Sequence, residues 1–138
     1  MRHWLIKSEP SEYSYEQLER DRKTQWSGIR NFQARNNIRQ MEVGDLALYY
    51  HTGDERRIVG IARVASKPTP DRTAEQGEEW FAIDVEPAAR LNEPVTLLAI
   101  KAQKVLAGFA VVKQGRLSVA PVTPAQFTAI LKLGKTRL

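Results

Sequence analysis

The sequence contains no cysteine. That excludes disulfides, thiol catalysis and cysteine-based zinc sites, and it fits a reducing compartment. Histidine is scarce. His3 and His51 lie too far apart to form a ligand pair on one helical turn, so neither a metal nor another cofactor is expected. Long apolar runs are missing too. The opening MRHWLIKSEP holds only Trp4–Ile6 as an apolar run, too short for the core of a signal peptide. Nothing approaches the roughly 20 apolar residues of a membrane span. The expectation is a cytoplasmic protein with no membrane contact. There is no Gly-rich phosphate loop ending in Lys-Ser/Thr, and no G-x-S-x-G elbow.

Acidic residues are absent from one whole segment. Lys101 to Leu138 carries seven basic residues and no acid. Arg20 to Arg39 carries six basic residues against Asp21, whereas Asp71 to Glu93 carries seven acids against two arginines. The net charge of +5 is therefore segregated along the chain. If the two basic segments meet in space, they form a patch suited to phosphates. The bland alternative is a well-solvated surface.

What is present suits one compact domain, residues 1–138, with 42% hydrophobic residues to build a core. His3–Lys7 reads as a strand that Pro10 brings to an end. Ser14, with Gln17 three residues on, has capping-box spacing and starts a helix that runs to about Arg22. Lys23–Gly28 reads as irregular. Asn31 caps a second helix through Phe32, Ala34, Ile38 and Met41, with Phe32 and Ile38 expected to anchor it to the core. LALYYH (46–51) and Arg57–Ala65 read as strands, Gly60 marking a bulge or a close backbone approach. Lys67–Gly77 reads as a loop inserted between strands. Trp80–Leu91 alternates like a half-exposed strand, and Pro94–Ala102 reads as a helix. Thr123-Pro124 opens a last helix that stops at Gly134. There is no repeat and no regular strand–helix alternation. The fold class is α+β: a mixed sheet or small barrel with helices packed on it.

QWSGIRNFQARNN (25–37) is the chemically unusual stretch. Trp26, beside Gly28, is either a core plug or a flat wall on which a base stacks. Gly28 would let a planar ligand approach. Arg30 and Arg35 offer forks for phosphates. Asn31, Gln33 and Asn36 offer amides that match base edges. On LALYYHT, alternation places His51 on one face and Thr52 on the other. His51 is either a satisfied residue at a strand end or part of a pocket mouth. Arg116 and Ser118, in the basic C-terminal third, can contact a phosphate. Lys7, Ser8 and Glu9 could serve as base, nucleophile and acid, yet on a strand only Lys7 and Glu9 share a side.

Four blocks, HWLIKSEPSEYSYEQL, WSGIRNFQARNNI, GDLALYYHT followed by IVGIARV, and RLSVAPVT, together resemble the EVE domain family. The resemblance covers nearly the whole chain. It implies a PUA-like fold, a strongly curved mixed sheet or small barrel surrounded by short helices, related to YTH and ASCH domains. It implies a non-catalytic module that reads a modified nucleobase, notably a modified cytosine in DNA, with RNA as an option. The implied base-binding residues are Lys7, Ser8, Trp26, Gly28, Arg30, Asn31, Arg35, His51 and Thr52. Arg39, Arg116 and Ser118 form the implied phosphate rim. GIRN and YHT stand where the family usually has GVRN and YHS; the second change adds a methyl at the pocket edge. The expected partner is nucleic acid, with any effector a separate protein, and the expected state a monomer or weak dimer. The alternative is a small amidohydrolase acting on a modified nucleoside, with Lys7, Glu9 and Thr52 as its candidates.

Overall fold

The computed structural model describes all 138 residues. Its centre is a mixed seven-stranded sheet, curled into a half-barrel, with five short helices around it. The strands are β1 (His3–Ser8), β2 (Thr24–Trp26), β3 (Leu46–His51), β4 (Arg57–Val64), β5 (Thr69–Pro70), β6 (Phe81–Thr96) and β7 (Val119–Val122). The order is β2-β6-β4-β3-β1-β7, and β5 pairs with β6. Only β1 and β3 run parallel, in register from His3↔Leu46 to Ser8↔His51. This parallel pair is fully apolar at its centre. Leu5, Ile6, Leu48 and Tyr49 are completely buried, as expected for strands covered on both faces.

The helices are α1 (Tyr15–Asp21), α2 (Phe32–Arg39), α3 (Leu97–Lys101), α4 (Ala110–Lys113) and α5 (Pro124–Leu133). Their starts follow the cap chemistry in the sequence. Ser14 Oγ accepts from Gln17 N, Asn31 Oδ1 from Ala34 N, and Thr123 forms a full capping box with Gln126. No helix is long and apolar enough to cross a membrane.

Four local expectations are corrected. Thr24–Trp26 is not irregular but an edge strand, held by β6 through Trp26↔Ile83. The loop at 67–77 is not a free insertion, since Thr69 and Pro70 pair with Ala82 and Phe81. The strand expected to end at Leu91 continues to Thr96, so the following helix starts only at Leu97, capped by Thr96. Phe32 does not anchor α2: it is 65% exposed, while Ala34 and Ile38 are fully buried.

Gly60 does mark both a bulge and a close approach. The register of β3–β4 shifts between Tyr49 and Tyr50, and that of β4–β6 between Ile58 and Gly60. A Cβ on Gly60 would lie 2.6 Å from the Tyr15 ring. Tyr15 occupies that space and donates from its hydroxyl to the carbonyls of Ile61 (2.8 Å) and Ala89 (3.0 Å). Burial pushes the Tyr15 phenol up to about 12, so it stays a donor at neutral pH.

Candidate functional site

A cleft of about 320 Å³ opens where β1 ends, between the Glu9–Tyr13 segment and β2. Lys7, Ser8, Tyr13, Trp26 and Ile29 form its walls, with Glu9, Glu12, Thr24, Gln25 and Ser27 around them. Because the cleft lies at the end of the sheet, strand alternation no longer separates Lys7, Ser8 and Glu9, and all three line it.

Trp26 is half-buried. Tyr49 meets it edge-on at 5.5 Å between centroids and 76°, and Tyr13 at 6.3 Å and 80°. The two tyrosines fix the indole, and part of it remains open to the cleft. Hydroxyls hold the facing segment. Ser8 Oγ donates to the Tyr13 carbonyl at 2.7 Å, and the Tyr49 hydroxyl donates to the same oxygen at 2.9 Å. The Tyr13 hydroxyl donates to Asp21 Oδ2 at 2.8 Å. Burial raises the Tyr49 phenol well above its ordinary value.

Lys7 is capped by backbone. Its Nζ donates to the carbonyl of Gly115 at 3.1 Å and, more weakly, to that of Gln114 at 3.4 Å. Burial lowers its ammonium from the ordinary lysine value. Lys7 N also donates to the Ser118 carbonyl at 3.0 Å. The 114–118 turn, with exposed Arg116, therefore stands beside the Lys7 wall.

The other sequence-predicted residues are engaged elsewhere. Gly28 adopts φ +79°, and its N–H donates to Asp71 Oδ2 at 2.8 Å, whereas its neighbours Ser27 and Ile29 line the cleft. Nothing lies within 4 Å of the position a Cβ would take there, so glycine is required by the backbone rather than by crowding. Arg30 donates to Asp71 Oδ2 (3.1 Å) and Thr73 Oγ1 (2.9 Å). Asn31 is the cap of α2. Arg35 donates to the Glu79 carbonyl at 3.1 Å and lies over the rings of Phe32 and Trp80. Arg39 lies over Phe81, 5.1 Å from the ring centroid.

His51 lines a second cavity, of about 400 Å³, with Arg57 and Arg90. Its Nε2 accepts the Tyr15 N–H at 3.1 Å, which places the ring proton on Nδ1, donated to Glu55 Oε1 at 2.9 Å. The hydrogen bond from His51 and the burial that opposes it leave the Glu55 carboxyl below its ordinary value, Arg57 assisting. Thr52 N continues the parallel ladder to the Ser8 carbonyl at 2.9 Å.

Asp71 is the residue that sequence reasoning passed over. Its side chain is fully inaccessible. Burial alone would raise its carboxyl, but bonds from the Thr73 hydroxyl, the Gly28 and Thr73 amides and Arg30 outweigh burial and hold it down at about 2. The signal in the sequence was modest: Asp-Arg-Thr, an Asx-type turn closed by Thr73 on Asp71 Oδ1. Glu12 and Tyr13 were also missed; only their place in space brings them to the cleft.

The two basic segments do meet. Helix α2 lies against β7, and Asn37 Nδ2 donates to the Val119 carbonyl at 2.7 Å. The acidic segment neutralises part of these basic segments, through Arg30–Asp71, Lys23–Asp84 and Lys135–Glu93.

The model of the EVE domain matches residues 2–133. The chain belongs to the EVE domain family. Among curated relatives, thymocyte nuclear protein 1 of Homo sapiens is 30% identical over an alignment covering 95% of this chain and 73% of the relative. A solved structure of a protein from Agrobacterium tumefaciens superposes with a TM-score of 0.94 at 36% identity, covering 99% of this chain and 94% of the other. The crystal structure of human THYN1 in complex with 5-methylcytosine-containing DNA superposes with a TM-score of 0.91 at 26% identity, covering both chains fully. The EVE domain described here thus has the PUA-like fold of THYN1 over its whole length.

Proposed function

We propose that this EVE domain is a non-catalytic reader of a modified cytosine in DNA, taken unpaired into the cleft at the end of β1. The observation that carries this reading is the half-buried Trp26 indole, held by two tyrosines beside a cleft with both acceptors and a donor. The volume lies at the small end of ligand sites, which run from about 300 to 1,000 Å³. The DNA in the THYN1 complex, which contains 5-methylcytosine, supports the choice of ligand.

The chemistry of the walls fits a pyrimidine. Cytosine offers an exocyclic amine as donor, and carboxylates accept from it. Glu12 is exposed at the cleft and supplies such an acceptor. Ser8 gives its proton to Tyr13, which leaves its oxygen lone pairs as acceptors. Lys7 has three N–H donors and two carbonyl contacts, so one donor remains for a base oxygen or ring nitrogen. An added methyl meets apolar surface at Trp26 and Ile29. Arg39, Arg116 and Ser118 would meet the phosphates. Gly28, Arg30 and Asn31 would act through the shape of the 27–31 segment, Arg35 would meet a phosphate, and His51 and Thr52 would act through the sheet end that holds Ser8.

The hydrolase alternative is not favoured by this geometry. Ser8 donates to a carbonyl rather than to a base, and Lys7 is bonded to carbonyls rather than to Ser8 or Glu9. Titrating oligonucleotides that carry one central cytosine, 5-methylcytosine or 5-hydroxymethylcytosine, in DNA and in RNA, tests the reading. The expected result is tighter binding of a modified DNA, weakened roughly tenfold by Trp26→Ala, since stacking on an aromatic is worth about 1–3 kcal/mol per base. Equal affinity for all oligonucleotides, unchanged by the substitution, overturns it.

A further inference from the structure

Phe32 is a large apolar residue standing 65% exposed on a surface otherwise rich in charge. It is not loose. Its ring stacks on Trp80 at 5.2 Å and 22°, and Trp80 beneath it is only 7% exposed. Guanidinium groups flank the stack. Arg35 lies 5.0 Å from the Phe32 centroid and 5.6 Å from that of Trp80, and Arg30 lies 5.5 Å from Trp80. Asp71, Thr73 and the Glu79 carbonyl hold these two arginines in place. Arg35 and Arg39 have no carboxylate partner; Arg35 keeps a free positive charge beside the exposed ring, and Arg39, at the other end of α2, keeps one over Phe81.

The position of this stack relative to the cleft limits what it can touch. Ile29 lines the cleft and Phe32 is three residues further on. Three residues span at most about 11 Å, roughly three base steps of about 3.4 Å along one strand. A rigid, exposed ring within that distance, beside the unneutralised Arg35, fits a neighbouring base and its phosphate. Exposed Phe, Leu, Ile and Met side chains are inserted between base steps in this way by proteins that unstack DNA.

We propose that Phe32 is a wedge. It enters the duplex within about three base steps of the nucleotide held in the cleft and stacks on a neighbouring base. Trp80 backs it, and Arg35 and Arg39 meet the flanking phosphates. The proposal rests on the reading of the cleft as a base site. A wedge helps only where a base must leave a stack. It therefore contributes to duplex binding and little to single strands, whose bases are already free.

The test compares wild type, Phe32→Ala, Phe32→Leu and Trp26→Ala on one 5-methylcytosine oligonucleotide, as duplex and as single strand. A 2-aminopurine placed in turn at each of about three steps on either side of the modified base reports unstacking. Phe32→Ala is expected to weaken duplex binding about tenfold and single-strand binding less than about twofold, with loss of the 2-aminopurine signal. Phe32→Leu should restore most of both effects. Because Phe32 gives up only its stack on Trp80, these variants should melt slightly below wild type and remain folded at the temperature of the titration. If Phe32→Ala weakens both forms equally, or neither, while Trp26→Ala weakens both, the wedge is wrong and the reader stands. A surface kept for a partner protein gives that second result. If Trp26→Ala changes nothing, or wild type binds neither form, the reader itself fails and takes the wedge with it.

Discussion

The Asp71 carboxylate and the Gly28 amide, 43 residues apart, are joined by a 2.8 Å hydrogen bond whose acceptor side chain is fully covered. The same oxygen accepts from Arg30 at 3.1 Å. One buried acid thus fastens the acidic middle of the chain to the segment that follows Trp26, and the loop beside the cleft owes its shape to it.

Replacing Asp71 by Ala should cost roughly 2–3 kcal/mol of stability. Hydrogen bonds to a charged group contribute about 1.5–3 kcal/mol, and the Gly28 and Thr73 amides lose their acceptor. Urea denaturation of wild type and variant measures the difference. Oligonucleotide affinity should fall as well, because Ser27 and Ile29 lose their fixed positions.

The same acid sets a pH dependence. Its folded-state value of about 2 lies below the ordinary aspartate value. The contribution is therefore present above about pH 4 and is lost as pH falls toward 2. With two units at about 1.4 kcal/mol each, the loss is on the order of 2–3 kcal/mol. Melting temperatures followed from pH 5 to pH 2 should fall more steeply for wild type than for Asp71→Asn.

Gly60→Ala should destabilise the fold by about 2–3 kcal/mol, the usual cost of forcing an extra methyl into a packed interior. The Tyr15 ring cannot yield without breaking its bonds to Ile61 and Ala89. Thermal unfolding of Gly60→Ala, and of Gly60→Ala with Tyr15→Leu, checks this. The second change should recover part of the loss.

His51→Ala separates a structural role from a binding role. It leaves the buried Tyr15 N–H without its acceptor, at a cost of roughly 1–3 kcal/mol. On the geometry described, stability should drop while oligonucleotide affinity, measured well below the melting temperature, changes less than about twofold. A large affinity loss at unchanged stability would instead put His51 in contact with the ligand.

Arg39→Ala and Arg116→Ala should each weaken binding about equally for modified and unmodified DNA. Each should reduce the slope of log affinity against log salt by about one. Fluorescence anisotropy over a range of salt concentrations gives the slope directly.

The caps and the apolar strands were legible because their causes are local. Ser14, Asn31 and Thr123 announce helix starts by their own hydrogen bonds, and LALYYH is apolar on both faces because the sheet is covered on both. The family resemblance, not the residue pattern, put Lys7, Ser8 and Trp26 in one set of nine, and of that set the structure brings these three to one cleft. What escaped was set by distant partners. Thr24–Trp26 is a strand because β6 supplies its ladder. Phe32 fits the helical period of α2, yet Trp80, 48 residues away, draws its ring to the surface. Arg30 reads as a free phosphate fork until Asp71 reaches it from the next segment but two. No pattern within a dozen residues encodes such pairings.

The three tryptophans sit in three different settings. Trp4 is buried with its indole N–H on Asp45, Trp80 lies under Phe32, and Trp26 alone is half open. Acrylamide should therefore quench one emitter well ahead of the other two. The protein carries an intrinsic optical probe at the mouth of its own cleft, and occupancy can be followed without attaching a label to either molecule.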